Sequence, residues 1–175
     1  MQFDDKAELE FLEKVYSTYT VDHSSQTKVM RELAVKTFDP FLRGGNALEL
    51  GCSDGYMTEI ISKKVDFLDV VDGSKSFLEK AKKRALDNVK FHFGLFETFS
   101  SDKKFDHVIA SYILEHVSDP VRILTNIRKF LNPGCYLYIL VPNANALSRQ
   151  LALHMGIIKE LKHLTDNDHN HGHRR

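Results

Sequence analysis

Between Ala47 and Ile60 the chain reads ALELGCSDGYMTEI, and Gly51-Cys52-Ser53-Asp54-Gly55 is its densest run of residues able to do chemistry. Two chemistries fit these letters. As G-x-S-x-G they spell a nucleophile elbow, in which a strained strand-to-helix turn exposes a serine hydroxyl for acyl transfer. As a glycine-punctuated turn they let a strand pass into a helix while the main chain crowds against a ligand. An elbow needs strands ahead of it and an upstream loop to supply a second oxyanion donor. Only helical periodicity precedes Ser53, no HG-type loop lies upstream, and the Asp166/His169 pair that would complete a triad sits in a polar tail. The serine reads as a spacer.

A dinucleotide site is the stronger rival. Its G-x-G-x-x-G fingerprint wants small residues where this chain has Ser53 and Tyr56. A carboxylate at Asp54, facing a helix N-terminus, would repel a pyrophosphate and tolerate a cationic ligand. That leaves a nucleoside-containing ligand without phosphates. Asp72 lies 21 residues after Gly51, at the end of the next predicted strand, where an acid can accept hydrogen bonds from both ribose hydroxyls. Asp72 also reads as a helix cap beside Ser74.

Positioning these residues requires a frame. Leu9, Leu12, Val15, Tyr16 and Tyr19 recur at helical spacing, as do Val29, Met30, Leu33 and Ala34 after a capping cluster at 22–25. Strands are predicted at 47–50, 67–71, 89–93, 105–111 and 136–141. Helices are predicted at 56–64, 75–85 and 121–131, the last with Val121, Leu124, Ile127 and Leu131 on one face. Pro133-Gly134 supplies a turn before the fifth strand. Strands alternating with helices predict an α/β, doubly wound, mostly parallel sheet. In such folds ligands sit beyond the strand carboxyl ends, where Gly51, Asp72, Gly94 and Ser111 all fall. The expected organisation is a single domain over 1–175: N-terminal helices to 43, an α/β core over 44–143, then a helix and polar tail.

Composition bounds the function. A chain of 175 residues, 42% hydrophobic and 27% charged, can bury a core. Its formal net charge of zero gives no field to draw nucleic acid or anionic lipid, so neither is an expected partner. Its two cysteines, Cys52 and Cys135, lack metal-type spacing and read as free thiols of a reducing compartment. The polar, acidic start is unlike a secretory signal, and no apolar run approaches the about 20 residues needed to span a bilayer. A cytoplasmic protein is expected.

Four blocks in order resemble the class I S-adenosylmethionine-dependent methyltransferases, in their small-molecule, ubiquinone-biosynthesis-like branch. They are ALELGCSDG, FLDVVDGS, FDHVIASYILEHVSDP and FLNPGCYLYILVPN, within about residues 16–156. The resemblance implies a Rossmann-like sheet in the order 3-2-1-4-5 behind two N-terminal helices. It implies S-adenosyl-L-methionine as cofactor and methyl transfer to O, N or C of a small-molecule acceptor. A non-catalytic binding module of the same fold and a nucleoside- or NAD-linked enzyme are the alternatives. Carried over by position, Glu49 is the acidic strand residue and Gly51 lets the backbone approach the methionine moiety. Cys52 and Ser53 offer loop amides, with Ser53 replacing the usual middle glycine, and Gly55 permits the turn into the helix. Asp72 holds the ribose and Gly73 lies against the adenine. Where the family often has Asp after the third-strand glycine this chain has Leu95, which leaves the adenine to backbone groups, Leu95, Phe96 or Glu97. Ser111 and Tyr112 fall near the transferable methyl.

Methyl transfer from a sulfonium is an in-line displacement with a neutral leaving group, so alignment and exclusion of water matter most. A base is needed only where the acceptor must lose a proton. His116 is the candidate base, since imidazole titrates near neutral pH, although Glu115-His116 also reads as a helix cap. Tyr112 is the candidate acceptor-positioning group. Tyr19 and His23, between the N-terminal helices, read as helix packing or as residues that close over the methionine end. His169, His171 and His173 in the tail lack a scaffold for metal, and none is expected; the resemblance makes this segment a loop entering the acceptor pocket. Lys80, Lys82, Lys83 and Arg84 read as a solvated helix face. A helix is predicted over 145–159, with no strand signal after it, so the last two strands of the family are missing. The fifth strand is then an open hydrophobic edge, explained by a short natural form, a shortened chain, or a homodimer that covers the edge.

Overall fold

The computed structural model describes residues 4–18 and 25–174; Tyr19 and His23 lie outside them. Two helices, α1 (Asp5–Thr18) and α2 (Ser25–Phe38), precede β1 (Asn46–Leu50). Then come α3 (Tyr56–Ser62), β2 (Phe67–Asp72), α4 (Lys75–Lys82), β3 (Val89–Phe93) and β4 (Phe105–Ser111). The chain continues through α5 (Pro120–Ile127), a 3-10 turn (Arg128–Phe130), β5 (Leu131–Leu140), α6 (Leu147–His154) and α7 (Asp166–Asn170). All strand pairs are parallel and the sheet order is β3-β2-β1-β4-β5, as the resemblance implies.

A parallel strand covered on both faces should be mostly apolar; β1 and β2 are so apart from Asn46, Glu49, Asp69 and Asp72, the last three of them buried. Side-chain alternation splits each strand between two cores. Ala47, Leu68, Val70 and Ile109 pack with Val35, Phe38, Ile61 and Leu78, under α2, α3 and α4. Leu48, Leu50, Val71 and Val108 pack with Ile123 and Ile127 of α5. Winding reverses between β1 and β4, which opens a crevice at their carboxyl ends.

Element ends differ from expectation in several places: the helix read as 56–64 ends at Ser62, that read as 75–85 ends at Lys82, and that read as 145–159 spans only Leu147–His154. The helix read as 121–131 stops at Ile127 and buries Ile123 and Ile127, while Val121 is exposed. Asp119 caps it by accepting from Arg122 N at 3.0 Å, which rotates the buried stripe away from Val121. Pro133-Gly134 is no turn before the fifth strand. It lies inside β5, where pairing jumps from Phe105–Leu131 to His107–Tyr136, a bulge made possible by Gly134 at φ 79°. Finally, the tail is not shapeless, because α7 forms behind a Thr165/Asp168 capping box.

Among the described residues no strand pairs the outer side of β5, and Tyr136, Leu137 and Ile139 are exposed along it. No helix among them is long and apolar enough to cross a membrane.

Candidate functional site

A cavity of about 370 Å³ lies over the strand carboxyl ends. All five strands contribute: residues 51–54 after β1, 72–74 after β2, 94–97 after β3, 111–117 after β4 and Pro142 after β5. Side chains of α1 and the segment 171–173 close the remaining side.

The glycine loop and Asp72 form one unit. Asp72 Oδ2 accepts from Cys52 N at 2.9 Å, and Oδ1 accepts from Ser74 N at 2.8 Å. The carboxylate thus ties the first loop to the second. Burial raises its pKa, opposed by those backbone donors. Capping of α4 falls to Ser74, whose hydroxyl accepts from Phe77 N at 3.2 Å, so Asp72 is not the helix cap. Cys52 lies beneath, its thiol pushed up by burial and so inert at neutral pH.

Each glycine of the region does a different thing. Gly51 sits under Ile113, and a Cβ there would meet Ile113 Cδ1 at 2.2 Å. Gly73 sits under α1, with Leu12 Cδ1 at 2.4 Å from the same imagined atom. Gly55 faces away from the cavity. At φ 74° it turns the chain into α3, and a Cβ would strike Ala81 Cα of α4 at 2.9 Å. Its contribution is to close packing behind the loop, while the wall is made by its neighbours.

Backbone strain concentrates here. Only three non-glycine residues among those described have positive φ, and two, Ser53 at 48° and Tyr112 at 56°, line the cavity. Ser53 occupies a left-handed conformation that suits glycine. Its buried hydroxyl has no hydrogen-bond partner among the described residues. Ser111 lines the wall and donates to Met57 Sδ at 3.6 Å; Phe96 lines it next to buried Leu95.

Asp54 overturns one expectation. Its buried carboxylate is held by Arg31 Nη1 of α2 at 3.1 Å and Arg84 Nη2 at 3.6 Å, so it is no free negative charge facing a ligand. Arg84 also binds Glu59 at 2.7 Å and is not a solvated residue. The paired charges could not be read locally, because Arg31 and Arg84 come from 23 residues before and 30 after Asp54.

Glu49 stands at the floor with 3% of its surface exposed, and Oε2 has no hydrogen-bond partner among the described residues. Burial lifts its pKa to about 8, with the charge of Asp72 adding to the effect.

At the far end Tyr112, Glu115, His116 and His173 line the wall. Ligating atoms of the last three lie within 4.8 Å of one another. Burial lowers His116 to about 4, and His173, lowered by burial as well, crosses it edge-on at 4.7 Å between ring centroids. Both imidazoles are therefore neutral at pH 7. Glu115, 4% exposed, is pushed up to about 7 by burial, and its Oε2 lacks a partner among the described residues.

The tail reaches this end because three ties hold it. Thr18 Oγ1 donates to Asn170 O at 2.8 Å, Arg174 N donates to Glu115 O at 2.8 Å, and Arg174 Nη2 pairs with Glu8 at 2.9 Å. His171 and His173 line the cavity; His169 does not.

Sequence reasoning missed Glu115, Arg31 and the inner face of α1. The apolar stripe of Phe11, Leu12 and Val15 was visible, but periodicity cannot distinguish a helix facing a core from one facing a cavity.

The fold and crevice define a doubly wound α/β protein with its binding cavity at the topological switch point. The chain belongs to the methyltransferase-domain family, whose model matches residues 21–174. Among curated proteins it is similar to the ubiquinone biosynthesis O-methyltransferase of Coxiella burnetii, 31% identical over 108 residues, covering 59% of this chain and 46% of that protein. It is also similar to that of Vibrio vulnificus, 27% identical over 135 residues, covering 74% and 57%. The chain thus spans about half the length of the curated relatives it matches. Among solved structures the DhpI-SAM-HEP complex superposes with a TM-score of 0.68 at 22% identity, covering 89% of this chain and 72% of that one. The N-methyltransferase NodS of Bradyrhizobium japonicum gives 0.60 at 21%, covering 67% and 68%.

Proposed function

We propose that this chain binds S-adenosyl-L-methionine and transfers its methyl group to a small-molecule acceptor. The observation that carries the reading is the 2.9 Å bond between Asp72 and the amide of Cys52, which puts the glycine loop and the ribose-type acid on one cavity wall. The wall fits the group. Asp72 lines the wall as an acceptor for ribose hydroxyls, Gly73 and Phe96 offer flat apolar surface to a base, and Ser53 has a hydroxyl without a partner among the described residues. Arg31, paired with Asp54, lines the same wall.

When bound, the cofactor supplies a methyl on a positively charged sulfur whose leaving group is neutral. The chain's own work is then to orient, shield and move a proton. Gly51 and Ile113 set how closely the main chain approaches, while Leu12, Phe11 and the 171–173 segment exclude water. His116, lowered to about 4 by burial, is a poor proton acceptor at neutral pH, so its role beside Tyr112 is to orient the acceptor.

Calorimetric titration with S-adenosylmethionine, S-adenosylhomocysteine and NAD tests the reading. Binding of the first two and not the third is expected; the opposite pattern refutes it. A second copy pairing along β5 would cover the open edge, and light scattering showing only monomer would reject that dimer.

A further inference from the structure

We propose that the acceptor is an amine, held and deprotonated by Glu115, so that this chain methylates nitrogen. The proposal rests on the methyltransferase reading and names its substrate class.

The charges around the cavity carry the argument. Its described walls bear six carboxyl groups and one guanidinium, Arg31. Asp54 is paired with Arg31 and Arg84, Glu8 with Arg174, and burial keeps Glu49 protonated at neutral pH. That leaves Asp72, Glu97 and Glu115 as the acids that face a ligand. Next to Glu115 the other titrating groups are His116 and His173, both kept neutral by burial. From α1 the facing charge is Glu8, already paired to Arg174 at 2.9 Å. Among the described residues two lining carboxyl groups present an unpartnered, almost fully buried oxygen, Glu49 at the floor and Glu115 at the end shared with Tyr112, His116 and His173. Buried carboxylate oxygens are normally satisfied, so the one at Glu115 is built for a donor the chain does not supply.

A hydroxyl acceptor would have to become an alkoxide or phenolate. The acidic walls oppose that negative charge, and the one lining guanidinium is already engaged. An ammonium group reverses the balance, because it donates to Glu115 and its charge is welcome. Glu115 takes one proton from the ammonium and becomes a neutral acid. The freed nitrogen lone pair then forms the N–C bond while the methyl–sulfur bond breaks, and sulfur keeps that pair as a neutral thioether. Nitrogen again carries the positive charge, in an acid-lined site that stabilises it. The ubiquinone-biosynthesis relatives are O-methyltransferases, so the inference departs from them.

The test uses protein saturated with S-adenosylhomocysteine. Ethanolamine, putrescine and phenethylamine are titrated beside their oxygen counterparts ethylene glycol, 1,4-butanediol and 2-phenylethanol, with catechol added. At least one amine should bind tenfold or more tighter than its counterpart and accept labelled methyl from S-adenosylmethionine. Glu115→Gln should weaken that amine tenfold or more while S-adenosylhomocysteine affinity stays within twofold. The proposal is overturned if no amine outbinds its counterpart, if catechol or another oxygen probe is the acceptor, if EDTA abolishes amine binding, or if Glu115→Gln changes nothing. Failure of S-adenosylhomocysteine itself to bind would strike the methyltransferase reading first, and this inference with it.

Discussion

Removing the Asp72 carboxylate should separate its two duties. It accepts two buried backbone N–H groups, from Cys52 at 2.9 Å and Ser74 at 2.8 Å. A buried donor left without an acceptor costs about 1–3 kcal/mol, so Asp72→Ala should destabilise the fold by roughly 2–6 kcal/mol. Two ribose hydroxyls donating to a charged acceptor contribute about 1.5–3 kcal/mol each, so cofactor affinity should fall by on the order of a hundred- to ten-thousand-fold. Asp72→Asn keeps the shape and one acceptor oxygen, but its amide nitrogen must face one of the N–H donors; intermediate losses are expected. The assay is calorimetric titration with S-adenosylhomocysteine, run beside a thermal melt to verify that each variant is folded. Affinity within threefold of wild type in a folded Asp72→Ala protein would refute the assignment of the ribose contact. A variant equally stable but unable to bind would instead show that the carboxylate does not organise the two loops.

Further outcomes follow from the same geometry. Because burial raises Glu49 from 4.5 to about 8, its share of stability is complete below about pH 4.5 and is lost as pH rises through 8, a difference on the order of 5 kcal/mol. Glu49→Gln should therefore raise the melting temperature of the ligand-free protein at pH 8 and above; an unchanged or lower value contradicts the account. Gly55→Ala meets the Cα of Ala81 at 2.9 Å in a left-handed conformation, and should cost roughly 1–3 kcal/mol in a denaturant melt while sparing the cavity wall. Arg174→Ala removes the pairing with Glu8 and the stacking over Phe11 at 4.3 Å, so hydrogen exchange at 166–174 should speed up severalfold with the sheet unaffected. His116, lowered from 6.5 to about 4, contributes stability that is whole above pH 6.5 and fades as pH falls toward 4. Those same tail amides should exchange faster at pH 5 than at pH 7.5, beyond the intrinsic pH effect.

Much was legible in the chain because its signals are local. A buried parallel strand is mostly apolar and a strand-to-helix bend beside a crowded backbone favours small residues, and both signals come from neighbours in sequence. Hence the five strands, their alternation with helices, and the meeting of Gly51 with Asp72 could be read from spacing alone. The element ends were less legible. The bulge at Pro133-Gly134 and the early stop of α5 depend on how β5 registers against β4, a property of two strands together.

What only tertiary structure decided are the pairings between distant segments. Asp54 looked like a bare charge until Arg31 and Arg84 closed on it. Glu115 looked like a capping residue until its burial beside His116 and His173 made it a carboxyl group near neutrality with an oxygen to spare. The tail was a polar segment until Arg174 found Glu8 across the cavity. Periodicity records which face of an element avoids water. Whether that face meets a core, a cavity or an opposite charge is set by the partners that folding delivers, and for a buried carboxylate the partner determines its protonation and its chemistry.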